Sequence, residues 1–404
     1  MKPQEFTHSK YNFEECMKCT VCTAYCPVLQ VNPLFPGPKQ CGPDEERLRL
    51  KDPYFFNAAL KYCMNCKRCE VACPSEVNVA DLIQAARIRY DHSAPKLRDQ
   101  ILASTDFMGS LARPFAPIVN SVTALPITAK VLDATLGVDK HRKFPKYSAF
   151  SFERWLSRHE KQQASFPAQI AYYHGCYVNY NEPQLGKDFV KVMNALGTGV
   201  QLLDKEKCCG IAMITNGMSA KAGRNARHNT AIIRKAVEKG LQVVGTSSTC
   251  ILTLRNEYPE LLGVDNSDVR EDILLASRYI YEKLENGAKL RFKPDFKLKV
   301  AYHVPCHMEK LGWGIFTEQL LRSIPGVELT VLDSACCGIA GTYGFKKENY
   351  ESSQAIGQRL FDMIAEADPE VVACDCETCK WQIEMSTPYK VMNPISILAQ
   401  ALED

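Results

Sequence analysis

Nineteen cysteines stand in a chain of 404 residues. That is more than packing requires, so they read as metal ligands, redox groups or disulfides. Cys16, Cys19, Cys22 and Cys26 follow C-x2-C-x2-C-x3-C and run into Pro27. Cys63, Cys66, Cys69 and Cys73 repeat that spacing before Pro74. A tight loop so spaced aims three thiolates at three irons of one 4Fe-4S cubane, and the fourth, on the following helix, reaches the neighbouring cluster. The expected ligand sets are therefore crossed: Cys16, Cys19, Cys22 and Cys73 for the first cluster, and Cys63, Cys66, Cys69 and Cys26 for the second. Zinc is the plainer use of paired C-x2-C steps, but it needs neither the third step nor the Cys-Pro end. Cys41 lies outside both spacings and reads as a free, structurally idle thiol.

The remaining cysteines belong to an internal repeat of about 130 residues. In the first copy AQIAYYHG leads to Cys176, VQLLDKEK to Cys208 and Cys209, and LQVVGTSST to Cys250. In the second, LKVAYHVP precedes Cys306, VELTVLDSA precedes Cys336 and Cys337, and PEVVACD precedes Cys376 and Cys379. Each cysteine thus closes a strand-like run. The stretches between carry apolar residues at helical spacing, which gives a β-α-β-α-β order and a parallel sheet. Ligands of such sheets bind beyond the carboxyl ends of the strands, so three successive ends would pool their thiolates in one crevice. Gly210 and Gly338 follow the double cysteines, where a side chain would crowd a metal. Aligning the copies sets Ser247 against Cys376 and Cys250 against Cys379. The first site, Cys176, Cys208, Cys209 and Cys250, lacks a thiolate there, and whether it holds a cluster is open. The second, with Cys306, Cys336, Cys337, Cys376 and Cys379, is the stronger candidate. Cys374 matches nothing in the first copy and reads as a spare strand thiol; His174, His303 and His307 read as hydrogen-bonding or packing neighbours.

The elements that must position these groups divide the chain into a helical two-cluster domain over 1–95, a connector over 96–165, a first repeat over 166–260, a helical linker over 261–297 and a second repeat over 298–404. The expected fold class is α+β multidomain, a helical iron-sulfur domain followed by two α/β repeats. Between the two cysteine runs, a Pro- and Gly-rich loop precedes a helical stretch with Leu48, Phe56 and Leu60 facing inward. In the connector, Phe107, Met108, Leu111, Phe115, Ile118, Val119, Val122 and Leu125 recur at roughly helical intervals, interrupted by Pro114, Pro117 and Pro126. Residues 139–163 then carry seven Lys or Arg against three Asp or Glu, interleaved with Phe144, Tyr147, Phe150, Phe152 and Trp155. Short amphipathic helices beside a basic, aromatic tract suit an anionic membrane surface. They equally suit a linker packed on the repeats or covered by a partner subunit.

Composition sets the outer bounds. The chain is 46% hydrophobic and 24% charged, with 49 basic and 46 acidic residues, which is too balanced for a nucleic-acid-binding protein. Residues 1–16 contain no apolar signal segment, which points to a reducing, cytosolic compartment and against disulfides. The longest apolar stretch, Phe115 to Val138, is interrupted by Asn120, Lys130 and Asp133, so no spanning helix is expected. No G-x-G-x-x-G opens a helix after a strand, so the chain is expected to carry no flavin or nicotinamide site of its own. GIAGTYG at 338–344 directly follows the cysteine pair and reads as packing around it.

The cysteine runs over 16–73 match the bacterial ferredoxin signature, and the Cys-Cys-Gly repeats resemble those of heterodisulfide reductase and of glycolate and lactate oxidase iron-sulfur subunits. Along its length, through NPLFPGPKQ, LKYCMNCKRCEVACPS, HGCYVNYNEPQLGKD, CCGIAGTYGFKKENY and CETCKWQIEMSTP, the chain resembles the C subunits of anaerobic glycerol-3-phosphate dehydrogenases. That resemblance implies an iron-sulfur subunit that takes electrons from flavin-bearing A and B subunits and passes them to menaquinone, peripheral on the cytoplasmic face of the inner membrane. It implies two 4Fe-4S cubanes and a non-cubane 4Fe-4S cluster on the five cysteines of the second repeat. The serine at 247 departs from the five-cysteine pattern in the first. A disulfide-reducing enzyme acting at the second repeat is the alternative reading, and a zinc-stabilised scaffold a third.

Overall fold

The computed structural model describes residues 12–403. Residues 1–11, which carry most of the stretch read as lacking a signal segment, lie outside the described residues. The chain forms two compact units, Met1–Pro95 and Lys96–Asp404.

The first unit is built from short helices joined by tight loops, the longest being Val79–Tyr90. Its first turn is capped by Glu70, whose Oε1 accepts from Ala80 N at 2.9 Å and Asp81 N at 3.0 Å, so a carboxylate meets the positive end of the helix dipole. Helix Glu45–Arg49 does not turn leucines inward. Leu60 is buried, but Leu48 and Phe56 are exposed. The buried face holds Glu45, Glu46 and Arg49 instead, with Arg49 Nη2 3.0 Å from Glu45 Oε2 and Nη1 3.0 Å from Glu46 Oε2. Asn57 Nδ2 donates to Glu45 Oε1 at 2.6 Å. Charges withdrawn from water in this way must be paired on all sides, and that network occupies the place a leucine stripe would take.

The second unit contains two four-stranded parallel sheets. The first comprises β1 (Ala168–Tyr173), β2 (Thr198–Leu202), β3 (Val243–Gly245) and β4 (Ile273–Leu275), in the spatial order β2-β1-β3-β4. The second comprises β5 (Leu298–Tyr302), β6 (Val327–Val331), β7 (Val371–Ala373) and β8 (Val391–Met392), in the matching order β6-β5-β7-β8. Their registers correspond too: Tyr172 pairs with Leu202 and Val244, and Tyr302 with Val331 and Ala373. Residues 261–297, read from sequence as a helical linker, hold helix Ala276–Glu285 and also β4. β4 and β8 end on no cysteine, which is why the sequence pattern shows only three strands per copy.

Crossover helices bury one apolar face each. Helix Pro183–Ala195 turns Leu185, Phe189, Val190, Val192 and Met193 inward and packs on helix Pro394–Ala401 from the other repeat. One core consequently runs through both repeats, with Tyr172, Phe189 and Val244 of the first continuous with Tyr302, Met308 and Leu398 of the second.

The connector resolves into two parts. Helices Thr105–Ala112, Ala116–Thr123 and Pro126–Thr135 leave Phe107, Leu111, Phe115, Ile118, Val122, Leu125, Ile127 and Val131 exposed, Phe107 at 63% and Ile118 at 65%. The basic, aromatic tract behaves differently: Phe152 and Arg142 are buried, and Phe144 packs beside Phe345. Arg142 donates to Gly344 O at 2.7 Å, Gln382 Oε1 at 2.5 Å and Ser353 Oγ at 2.8 Å, so it belongs to the second repeat's interior. Of the aromatics in this tract, Phe150 is the one left largely in the open. Among the described residues no single helix is long and apolar enough to cross a membrane; the segments Thr105–Thr123 and Pro126–Thr135 satisfy that length and composition only together, bent by 92°.

Candidate metal centres

In both cysteine runs the residues on either side of the second cysteine adopt left-handed backbone. Lys18 and Thr20 have φ of 61° and 63°, and Asn65 and Lys67 have 55° and 63°. For non-glycine residues this costs about 1–2 kcal/mol each, and its recurrence at equivalent places curls each loop around a common centre. Cys16, Cys19, Cys22 and Cys73 line one cavity together with Pro74, Val77 and Val79. Val77 N donates to Cys73 Sγ at 3.4 Å. Cys26 lies with the other run: burial pushes its thiol up to about 11, and Cys63 adds to the shift. Cys69 is raised well above the ordinary range by burial and then by Glu70, Cys66, Cys63 and Cys26. Cys73 thus lies with the first run, and Cys26 stands near Cys63 of the second. The thiols of Cys26, Cys63, Cys66 and Cys69, all raised by burial, can ionise together only beside cations, and that is the environment a cluster of irons provides. Cys41 is fully buried and hydrogen-bonded with Glu45, its thiol raised by burial and by that carboxylate. Lys67 is buried between Asp81, to which it is hydrogen-bonded, and Glu70 at 3.8 Å.

In the repeats every cysteine of the pattern lies just beyond the carboxyl end of a strand. In the first, Cys176 Sγ is 3.9 Å from Cys208 Sγ, Cys209 bridges Cys208 and Cys250 by sulfur hydrogen bonds, and a Cβ on Gly175 would sit 3.6 Å from Cys250 Sγ. The four thiols share one site. Hydrogen bonds from Cys176 and Cys209 hold the Cys208 thiol well below its ordinary range. Ser247 brings no thiolate to them: its Oγ caps helix Ser248–Leu252 through Cys250 N, is hydrogen-bonded with the Cys250 thiol, and donates to Glu377 Oε2 at 2.8 Å.

In the second repeat Cys337 is lowered by hydrogen bonds with Cys336 and Cys379, and Gly338 N donates to Cys336 Sγ at 3.4 Å. Cys376 is brought down to about 6, first by Cys379 and then, against burial, by the hydroxyls of Thr249 and Thr378. Cys306 opens helix Cys306–Leu311 at the end of β5, and that helix packs on Ser248–Leu252 of the first repeat. Cys374, expected as a spare strand thiol, stands beside this site. Its sulfur, the Cys379 sulfur and a ring nitrogen of His303 all lie within 4.8 Å of one another, and all three residues are buried. Strand alternation hides this from a sequence reading, because Cys374 has Gly245 as its counterpart in the first copy.

Several residues that hold these sites carry no sequence signal. Asp106, from the connector, accepts from Cys208 N at 2.7 Å, and burial raises its carboxyl to about 7. Glu206 accepts from Gly175 N at 2.6 Å and His174 N at 3.2 Å, fixing the turn into Cys176. His174 itself sits 3.2 Å from Glu206 and 3.4 Å from Glu153, an acidic pair rather than a thiol. Tyr302 Oη donates to Asp375 Oδ2 at 2.8 Å beneath the second site.

The 4Fe-4S dicluster domain family matches residues 12–77, and the Cysteine-rich domain family matches residues 170–255 and again 300–384. The C subunit of anaerobic glycerol-3-phosphate dehydrogenase from Escherichia coli (strain K12) is 59% identical over 392 residues, 97% of this chain and 99% of that protein. The chain belongs to the C-subunit family of anaerobic glycerol-3-phosphate dehydrogenases. More distant similarity extends to the B subunit of the fumarate reductase (CoM/CoB) of Methanothermobacter marburgensis, 24% identical over 100% of this chain and 75% of that protein. The D subunit of the dihydromethanophenazine:CoB–CoM heterodisulfide reductase of Methanosarcina barkeri is 23% identical over 96% of this chain and 94% of that protein.

For this C-subunit family member the two Cys-Cys-Gly glycines are unequal. Both have positive φ, 92° at Gly210 and 86° at Gly338. A Cβ at Gly210 would meet Ala222 Cβ at 3.3 Å, whereas one at Gly338 would fall 2.0 Å from Ser353 O. Gly338→Ala is expected to add a backbone collision of several kcal/mol to the roughly 1 kcal/mol of left-handed strain that Gly210→Ala carries alone. Thermal unfolding of the two variants, with iron content measured alongside, should show Gly338→Ala failing first.

Proposed function

We propose that the chain is the electron-relay subunit of a glycerol-3-phosphate:quinone oxidoreductase, taking electrons from flavin-bearing A and B subunits and delivering them to menaquinone at the cytoplasmic face of the inner membrane. The observation that carries this reading is the gathering of thiols at four places in one chain of this family, two in the dicluster domain and one beyond each parallel sheet. Cys16, Cys19, Cys22 and Cys73 would hold one 4Fe-4S cubane, and Cys63, Cys66, Cys69 and Cys26 the other. Cys306, Cys336, Cys337, Cys376 and Cys379 would hold a non-cubane 4Fe-4S cluster, beside which Cys374 and His303 stand. Cys176, Cys208, Cys209 and Cys250 offer a four-thiol site for a further one. Such clusters supply one-electron carriers whose potentials depend on burial and on hydrogen bonds to their sulfurs. The chain's own part is to bury the thiols, fix their loops through Glu70, Glu206 and Asp106, and exclude water from them.

Docking on the bilayer is assigned to the exposed apolar face of helices Thr105–Thr135. Between 104 and 136 the only charged residues are Asp106, Arg113, Lys130 and Asp133. Asp106 is turned to Cys208 N, and Asp133 is hydrogen-bonded to Lys347. A face so stripped of charge suits the headgroup and acyl boundary. A second reading, reduction of a disulfide substrate at the second repeat, is favoured by the similarity to the Methanosarcina barkeri protein along 96% of the chain. Heterodisulfide and quinone assays on the anaerobic complex separate the two.

The ligand assignment is tested by Cys26→Ala in anaerobically prepared protein. The spectrum of the cluster on Cys63, Cys66 and Cys69 should change while that on Cys16, Cys19 and Cys22 persists. The reverse outcome means the sets are not crossed.

A further inference from the structure

The alignment that pairs Ser247 with Cys376 also pairs Thr249 with Thr378, so these threonines are one position in two repeats. Both converge on the same sulfur. Thr378 Oγ1 lies 3.3 Å from Cys376 Sγ, and Thr249 Oγ1, from the other repeat, lies 3.5 Å from it. The first-repeat loop is held in place across the boundary: Ser248 N and Ser248 Oγ donate to Asp375 O at 2.9 and 3.0 Å. His307 Nδ1, one residue beyond Cys306, is 3.1 Å from Thr249 Oγ1. A metal-bound thiolate has no proton to give, so at Cys376 both hydroxyls must donate. Thr249 oxygen then accepts from His307 Nδ1–H, which selects that tautomer. The result is a one-way chain of donors, His307 to Thr249 to Cys376, that leaves the second repeat, passes through the first and returns.

We propose that Thr249 is a positioning residue of the second-repeat centre, setting its reduction potential from the neighbouring repeat through a hydroxyl donated to Cys376; this rests on the reading above that Cys376 ligates iron. A bond donated to a ligating sulfur stabilises the more negative, reduced state and raises the potential. The inference also gives the first repeat a role that its missing thiolate does not touch.

The test uses the anaerobically purified full chain. The signal of the second-repeat centre is first identified as the one lost in Cys376→Ala, and its midpoint is then measured by redox titration followed by electron paramagnetic resonance. Thr249→Val, isosteric but without the hydroxyl, should keep its iron and shift that midpoint to lower potential. Thr378→Val should shift it the same way, and Thr249→Ser should restore the wild-type value. An unchanged midpoint in Thr249→Val overturns the proposal. Should Thr249→Val lose iron, Thr249→Ser decides: iron and midpoint retained support the hydroxyl's role, and iron lost there as well overturns it in favour of plain packing. If Cys376→Ala removes no signal at all, the ligand reading itself fails and takes the proposal with it, a result visible before any threonine variant is measured.

Discussion

Replacing Cys337 by Ala should remove one cluster's worth of iron, roughly four atoms per chain, and with it quinone-linked turnover, while Cys209→Ala should cost less of both. The two cysteines occupy the same place in their repeats, second in the Cys-Cys pair, so packing alone would make their losses equal. Their surroundings match except at one position. Cys337 is hydrogen-bonded to Cys336 and Cys379 in a buried site. Cys209, equally buried, bridges their counterparts Cys208 and Cys250. Beyond Cys250 the set ends, because Ser247 turns to Glu377 and its hydroxyl is a poor soft-metal ligand. Iron and sulfide analysis of the two variants, with turnover measured in the presence of the dehydrogenase subunits, checks this. Equal losses would remove the distinction drawn from Ser247.

The thiol positions were legible because ligand chemistry restricts both residue type and spacing. C-x2-C-x2-C-x3-C-P and the strand-closing Cys-Cys-Gly leave few alternatives, and the parallel order follows from strands alternating with helical stretches. What could not be read has a common cause. Asp106, Glu206 and Thr249 reach their sulfur-bearing loops from 102, 31 and 127 residues away, counted to Cys208, Gly175 and Cys376 respectively, and a carboxylate or hydroxyl at such distance has no spacing rule to betray it. β4 and β8 escaped for the opposite reason, being two or three residues long with no ligand at their ends. Leu48 and Phe56 misled because helical periodicity marks a face, and only the competing Glu45–Glu46–Arg49 network decides which face goes inside. The same uncertainty divided the connector. Periodicity in 105–135 described a face that is open, and aromatic content in 139–163 described side chains that are, Phe150 apart, buried or half-buried.

That division sharpens the expected behaviour at a membrane. Phe107, Leu111, Phe115 and Ile118 are each more than half exposed, so changing all four to Ser removes apolar surface that contributes nothing to the core. Inserting half of each side chain contributes about 1 kcal/mol per residue, or about 4 kcal/mol for the set, which corresponds to roughly a thousandfold in partitioning. Electrostatic attraction adds less than the count of basic residues suggests. Arg142 is buried and hydrogen-bonded to Gly344, Gln382 and Ser353, which leaves lysines such as Lys140, Lys143 and Lys146 in the open, each contributing on the order of 1 kcal/mol near an anionic leaflet. High salt should therefore release the wild-type protein from liposomes only in part, and the fourfold Ser variant should fail to float at any salt while keeping its iron and its melting temperature. On the reading proposed above, in which bilayer-confined menaquinone is the acceptor, quinone-linked turnover should fall with flotation, whereas turnover with a soluble dye as acceptor should persist. A variant that still floats and reduces quinone normally would assign this face to a partner subunit and leave membrane attachment to the rest of the complex.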